Sequence, residues 1–528
     1  MSVRRFWLAA AACCAAAAAA GVAEAGAAAA GVADAGAAAR PLPQVSGPVP
    51  ADAQSHPWNA ADHGIVPVDL RKYGYVEEEY LVSGVARVYG WGSNGEPRIE
   101  TRDAPYTTRI LIRRPSDPRR FSGTVWVNPY NPTMGVDIEN LWACCHDYLL
   151  GHGDIHVGFT FKPVAARSLR VFDPQRYAHV SFANPLPVER RCKVSRPDDI
   201  EDQENGLAWD LFSDIAALLR DGSSRNPLAK YLQGKRVKLY AFGYSQDAAY
   251  LRTYVNNFHA RAEAEVGAPP FDGYVIAAGG NQVALNQCIE ARPSDPATGG
   301  SPIRPRDVPV ITYNTEADYR AVFDGQSSLK ARRPDGDAPN DRYRHYELPG
   351  AIHLGSYFFM YGPAVADVTR VREVAPMAFG TFSQEARRVS SGAPITDLPQ
   401  QYVLDALLDN LDRWVRHGVA PPPGAWISTT AAGDTVVDEY GNARGGVRTP
   451  QVDVPTGTFF FGKPEGPINW ASYEWRPFDR ERLRRLYPTH GEYVRKSAAV
   501  AATAVKSRYL LPPAAQALEA AARQADVP

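Results

Sequence analysis

No excess of charge of either sign runs through this 528-residue chain: 57 Lys and Arg stand against 58 Asp and Glu, a formal net charge of −1. A balanced chain gives no electrostatic case for nucleic acid or for an anionic membrane surface as partner. Long apolar runs are missing beyond the first residues, so no later segment reads as a membrane span. Cysteine is scarce, at six, and neither a CxxC pair nor dense histidine spacing accompanies it. That removes the sequence case for zinc, and no metal or cofactor is expected. No internal repeat is found, which sets solenoid and propeller architectures aside. Proline and glycine are plentiful, at 44 and 43, and imply long, packed connections.

The N-terminus has the pattern of a targeting segment. Arg4 and Arg5 form a basic start, Phe6 to Ala23 carries no charge, and Ala23-Glu24-Ala25 offers an A-x-A-like cleavage site. Residues 1–25 are therefore read as a signal peptide and 26–44 as an Ala/Gly-rich disordered lead-in. A retained signal anchor is the alternative. Export to the periplasm or outside the cell is expected, with no stable membrane insertion of the mature chain. The remaining cysteines, Cys144, Cys145, Cys192 and Cys288, then invite two disulfides of unreadable connectivity. Adjacent cysteines rarely pair, so Cys144 and Cys145 are each expected to take a distant partner.

About 490 residues follow the leader, ample for a large core. Strand-like runs at Glu79 to Tyr89 and Tyr106 to Arg113 precede apolar strands at Gly123 to Asn128 and Ile155 to Thr160, with a helix around Ile138 to Leu150. Leu207, Leu211, Ile215, Leu218 and Leu219 mark an amphipathic helix, and further strands start at Val237, Gly273 and Val308. Strands alternating with helices predict an α/β fold with a mostly parallel sheet covered on both faces. Residues 45–528 are read as one such domain. It carries irregular lid insertions at about 161–205 and 282–306 and a C-terminal extension from about 364, with a helix over Tyr402 to Arg416.

The most informative stretch is Gly243-Tyr244-Ser245-Gln246-Asp247-Ala248. It follows the strand Val237 to Phe242 and precedes Ala248, Leu251, Val255 and Phe258 at helical spacing. Strand, tight turn with serine, then helix lifts the hydroxyl out of the sheet's carboxyl edge. A serine needs a base to become a nucleophile, and the base needs an orienting acid. Both follow in order: Asp318, with Glu316 as alternative, after the strand Val308 to Tyr313, and His353 after the strand-like Tyr343 to Leu348. An oxyanion hole would take the backbone N–H of Gln246. Its second donor would come from the loop after the Val125 strand, where Tyr130 or Asn131 qualifies and Asn131 is preferred, because Pro129 and Pro132 have no N–H.

Several stretches resemble a bacterial family of secreted α/β-hydrolase-domain proteins. They are the elbow with its helix, GYSQDAAYLRTYV, the histidine segment HYELPGAIHLG, DEYGNARGGVRTPQVDVP near the C-terminus, and GYVEEEYLVSGVARVY near the start. The resemblance spans roughly Val45 to the C-terminal region. It implies the α/β-hydrolase fold and a Ser-dependent hydrolase that cleaves an ester or amide of undefined identity. Such elbows read G-Y-S-Q-S/T-G, whereas this chain has Asp247 and Ala248 in the last two positions. Alanine adds a methyl where helix and strand meet closely. Asp247 gains from the helix dipole, yet its charge would oppose a developing oxyanion. The leading expectation is a serine esterase acting on a small-molecule ester through an acyl-enzyme on Ser245. A degenerate binding protein and an acyltransferase are the alternatives. Substrate and oligomeric state are not legible.

Overall fold

The computed structural model describes residues 40–194, 200–280, 283–288, 302–320, 329–392, 396–461 and 473–528. The leader and the first part of the Ala/Gly-rich stretch lie outside them, as does much of the 282–306 insertion.

A ten-stranded sheet organises the chain, in the order β1-β2-β3-β5-β4-β6-β7-β8-β10-β9. Its antiparallel flank is β1 (Gln44–Ser46), β2 (Tyr75–Trp91) and β3 (Pro97–Pro115). The two long strands form one hairpin, with register shifts between Ala86 and Tyr89. Next come six mutually parallel strands: β5 (Ile155–Phe159), β4 (Thr124–Pro129), β6 (Lys238–Tyr244), β7 (Gly273–Ala277), β8 (Val310–Thr315) and β10 (Asp341–Leu348). β9 (Gly336–Ala338) closes the far edge antiparallel to β10. The central strands read as continuous apolar runs because both their faces are covered.

That covering splits the core in two. Val125, Val127, Leu239, Ala241 and Ile276 point to one side, where α3 (Ala208–Arg220) and, beyond the short α4 (Ala229–Leu232), α5 (Gln246–Asn257) supply Leu211, Ile215, Leu251 and Val255. Trp126, Tyr240, Phe242, Val275, Ile311 and Tyr313 point to the other. There α1 (Asn140–His152) and the helix Gln401–His417 bring Leu141, Leu149, Val403, Leu407 and Leu411. The extension joins this second core through Ala504, Leu510, Ala514 and Leu518. A smaller cluster of Val454, Phe478, Leu483, Tyr487 and Val527 ties its last helices together.

The segment expected to be irregular after Thr160 contains a helix, α2 (Pro163–Phe172), with Val164, Ala165, Leu169 and Phe172 buried. Proline suits the first helical turn, where its missing N–H would have had no partner, so the Pro-rich reading misled there. The cysteines also correct an expectation. Cys144 pairs with Cys145 inside α1, and Cys192 pairs with Cys288, linking the two insertions. Among the described residues Cys192 and Cys288 are the remaining cysteines, and they are bonded to each other. Two buried arginines of β3 are a further departure from strand patterning. Arg109 lies between Glu79 and Asp137, and Arg113 between Glu77 and Glu139, so they clamp the loop after β4 to the hairpin.

Candidate active site

Ser245 stands where β6 turns into α5, with φ 66° and ψ −119°. A non-glycine residue at positive φ is strained and persists only when its surroundings hold it. Here its N–H donates to the Ala277 carbonyl on β7 at 2.9 Å. Helix and strand also meet too closely for side chains at two glycines. A Cβ on Gly243 would lie 2.8 Å from the Ala248 nitrogen, and one on Gly279 would lie 2.6 Å from the Ala248 methyl. The alanine that departs from the elbow pattern is thus accommodated by a glycine just beyond β7.

β8 and β10 deliver the acid and the histidine to the same sheet edge. His353 Nε2 lies 2.8 Å from Ser245 Oγ, and His353 Nδ1 lies 2.7 Å from Asp318 Oδ1. Asp318 and His353 are fully buried, and Ser245 is 8% exposed. With Nδ1–H donating to the carboxylate, Nε2 carries the lone pair and accepts the serine O–H. Asp318 is itself fixed, since its Oδ2 accepts the Thr315 N–H at 2.7 Å. Glu316 points elsewhere and accepts the Gly350 N–H at 2.8 Å, steadying the turn that leads to His353. Such a constellation can draw the proton from a hydroxyl and return it to a leaving group.

A shell of phenols and one amide holds the histidine loop, and local sequence patterns carry no sign of it. The Tyr244 hydroxyl lies 2.5 Å from the His353 carbonyl and 2.9 Å from Gln400 Oε1. Tyr313 donates to the same Gln400 oxygen at 3.0 Å, and Gln400 Nε2 donates to the Ile352 carbonyl at 3.0 Å.

The expected oxyanion donors divide. Gln246 opens α5, so its N–H has no partner within the helix and sits beside the serine. Asn131 does not offer its backbone N–H, which donates to the Ile138 carbonyl at 2.9 Å. Tyr130 N–H is likewise taken by Phe159 at 2.9 Å. The first bond closes the loop on itself and the second ties its start to β5, and neither is visible in the placement of the prolines. Asn131 contributes through its side chain instead: Nδ2 donates to the Tyr244 carbonyl and to Asp247 Oδ1, each at 2.8 Å. The loop still borders the serine's mouth, because the Thr133 hydroxyl reaches Gln246 Oε1 at 3.2 Å.

Asp247 is buried, and its Oδ2 accepts the Tyr244 N–H at 2.9 Å. Burial pushes its carboxyl up to about 8, against the pull of the Tyr244 N–H and the Asn131 amide. At neutral pH the group is mainly protonated, so the opposing charge expected from sequence is largely absent.

The family model described as "Alpha/beta hydrolase domain" matches residues 45–520. The chain belongs to this alpha/beta hydrolase family. Solved structures similar to the hydrolase domain include a serine hydrolase without a lid from Xanthomonas campestris, 13% identical. That match covers 58% of this chain and 94% of the other, with a TM-score of 0.26. An esterase from Pyrobaculum calidifontis is also 13% identical, over 57% of this chain and 85% of its own, with a TM-score of 0.27. No curated protein matches the chain. Among the described residues, no helix is long and apolar enough to cross a membrane.

Proposed function

We propose that the protein is an exported serine hydrolase that cleaves a carboxylic ester through an acyl-enzyme on Ser245. The observation that carries this reading is the unbroken relay from Ser245 Oγ to His353 Nε2, at 2.8 Å, and from Nδ1 to Asp318, at 2.7 Å. As the Ser245 oxygen attacks the ester carbonyl, His353 takes its proton and Asp318 steadies the imidazolium. The Gln246 N–H donates to the oxyanion. Collapse expels the alcohol, which leaves with the proton returned by His353. Water, deprotonated by His353 in turn, then releases the acid and restores Ser245. An ester is favoured over an amide because an alkoxide asks less of the acid catalyst. The Cys192–Cys288 link and the leader pattern support an oxidising, exported location.

The test is labelling by a fluorophosphonate probe, followed by turnover of p-nitrophenyl esters of graded chain length. Labelling and turnover that vanish together in Ser245→Ala support the proposal. Wild-type protein that neither labels nor turns over any ester would leave a binding protein on a hydrolase fold. Acyl transfer would show as product formed on an added alcohol in preference to water.

A further inference from the structure

One buried cation stands apart from the ion pairs that fasten Arg109 and Arg113. Lys162 follows β5 and is the residue from which α2 begins. It is 2% exposed, yet among the described residues its ammonium donates no hydrogen bond and joins no ion pair. Its Nζ lies over the ring of Tyr250, 5.6 Å from the centroid. An ammonium taken out of water is costly unless an anion or acceptor meets it, and a ring face returns only part of that cost.

The helix that Lys162 opens adds two more donors. Pro163 stands first in α2 and has no N–H to satisfy. The N–H groups of Val164 and Ala165 come next, in residues 3% and 1% exposed. No side chain caps this end, and the helix ladder starts only with Ala166 N–H, which donates to the Lys162 carbonyl at 3.1 Å. Val164 and Ala165 therefore keep N–H groups that no acceptor meets among the described residues. Such a helix end favours negative charge. It also borders the elbow. The Tyr130 N–H bond to Phe159 seats the loop after β4 on the end of β5, and Thr133 of that loop reaches Gln246. The Ser168 hydroxyl of α2 donates to the Gly135 carbonyl at 2.6 Å. Tyr250 shares a face of α5 with Gln246, one turn on, and helical side chains lean toward the N-terminus, here toward Ser245. Ser245 is itself nearly enclosed, so serine and ammonium lie at similar depth.

We infer that Lys162, with the N–H groups of Val164 and Ala165, binds a carboxylate carried by the substrate, so that the ester cleaved at Ser245 bears a free acid group at some distance from the scissile bond. The inference rests on the hydrolase reading and names its substrate class. One positive charge and two N–H groups suit a singly charged group with two oxygens, and charge strengthens each hydrogen bond it receives. The carboxylate would supply the counter-charge that the protein withholds from Lys162 and would set the direction in which the ester enters.

The test compares full-length wild-type and Lys162→Met protein on p-nitrophenyl hydrogen adipate and on its neutral counterpart, p-nitrophenyl methyl adipate. Taking the ratio of the two kcat/KM values in each protein cancels the intrinsic reactivity of the esters. Wild type should favour the anionic ester, and Lys162→Met should shift the ratio toward the neutral one by about ten- to a hundredfold, chiefly through KM. Lys162→Arg should keep part of the preference. An unchanged ratio in folded Lys162→Met protein would overturn the inference, while turnover and fluorophosphonate labelling would leave the hydrolase reading standing. Calorimetric titration of Ser245→Ala protein with adipate is independent of turnover. One adipate per chain is expected, bound at least about tenfold more weakly in the Ser245→Ala/Lys162→Met double variant. Absent binding, or binding unchanged by the second substitution, would overturn the subsite even where no ester is cleaved. Should Lys162→Met fail to fold, Lys162→Gln carries the same expectations.

Discussion

The side-chain amide of Asn131 donates to the Asp247 carboxyl at 2.8 Å, joining the loop after β4 to the turn that carries Ser245. The same amide reaches the Tyr244 carbonyl, so one residue steadies both sides of the elbow. The residue at 247 is therefore part of a built network, and its protonation has consequences.

Activity is expected to fall as pH rises through about 8, because an ionised Asp247 beside the elbow opposes the oxyanion. Stability follows the same sign. The folded pKa lies above the ordinary 3.8, so the native state holds a proton that the unfolded chain releases. That contribution is full below about pH 4 and is lost as pH climbs toward 8. Asp247→Asn should remove the falling limb of the kcat/KM profile, and its Tm should gain on wild type across that window. Identical alkaline limbs in the two proteins would exclude Asp247 as the cause.

Ser245→Ala and His353→Ala should each lower kcat by several orders of magnitude with folding intact. The double variant should cost scarcely more than either alone, since the relay acts as a unit. Steady-state kinetics on one ester decides this, and losses that multiply would mean the two residues act independently.

The two carboxylates near His353 should separate sharply. Asp318→Asn removes the acceptor on Nδ1, with a loss on the order of 10⁴ as the scale for such a change. Glu316→Gln weakens the Gly350 turn without touching Nδ1 of His353 and should leave most activity. Reversed ranking would move the acid's role to Glu316.

Gly279→Ala should destabilise the fold by roughly 1–3 kcal/mol, because its new methyl would lie 2.6 Å from that of Ala248. Ala248→Gly should partly restore stability in the same chain, the Ala249 nitrogen at 2.9 Å still resisting. Urea unfolding of the four proteins measures the coupling, and strict additivity would mean that the two methyls never meet.

How much was legible depended on the range of the signal. Strands such as β7 and β8 announce themselves as short apolar runs, and the segments bearing Ser245, Asp318 and His353 each follow one. Their meeting at one sheet edge follows from parallel topology. What stayed hidden depends on contacts between remote side chains. Gln400 joins Tyr244, Tyr313 and the backbone before His353, yet nothing local marks a glutamine for that place. Arg109 and Arg113 lie buried on β3, held by carboxylates of β2 and of the loop after β4 that no local pattern pairs with them. The prolines beside Asn131 leave its N–H as a donor in the sequence, and only the folded loop brings the Ile138 carbonyl to take it.

The turn before His353 leans on the far end of the chain. Gly350 has φ +76°, and a Cβ there would strike the Phe459 ring at 2.7 Å. Phe459 belongs to β11 (Gly457–Phe461), well inside the C-terminal extension. β10 is fastened to the same region, with Glu347 N–H donating to Ala425 and Val447 N–H to Glu347, at 2.9 and 2.8 Å. No minimal enzyme can then be obtained by trimming the tail to the bare sheet and its helices. The histidine's backstop would go with it, so tail and active site must be inherited, transplanted or evolved as one piece.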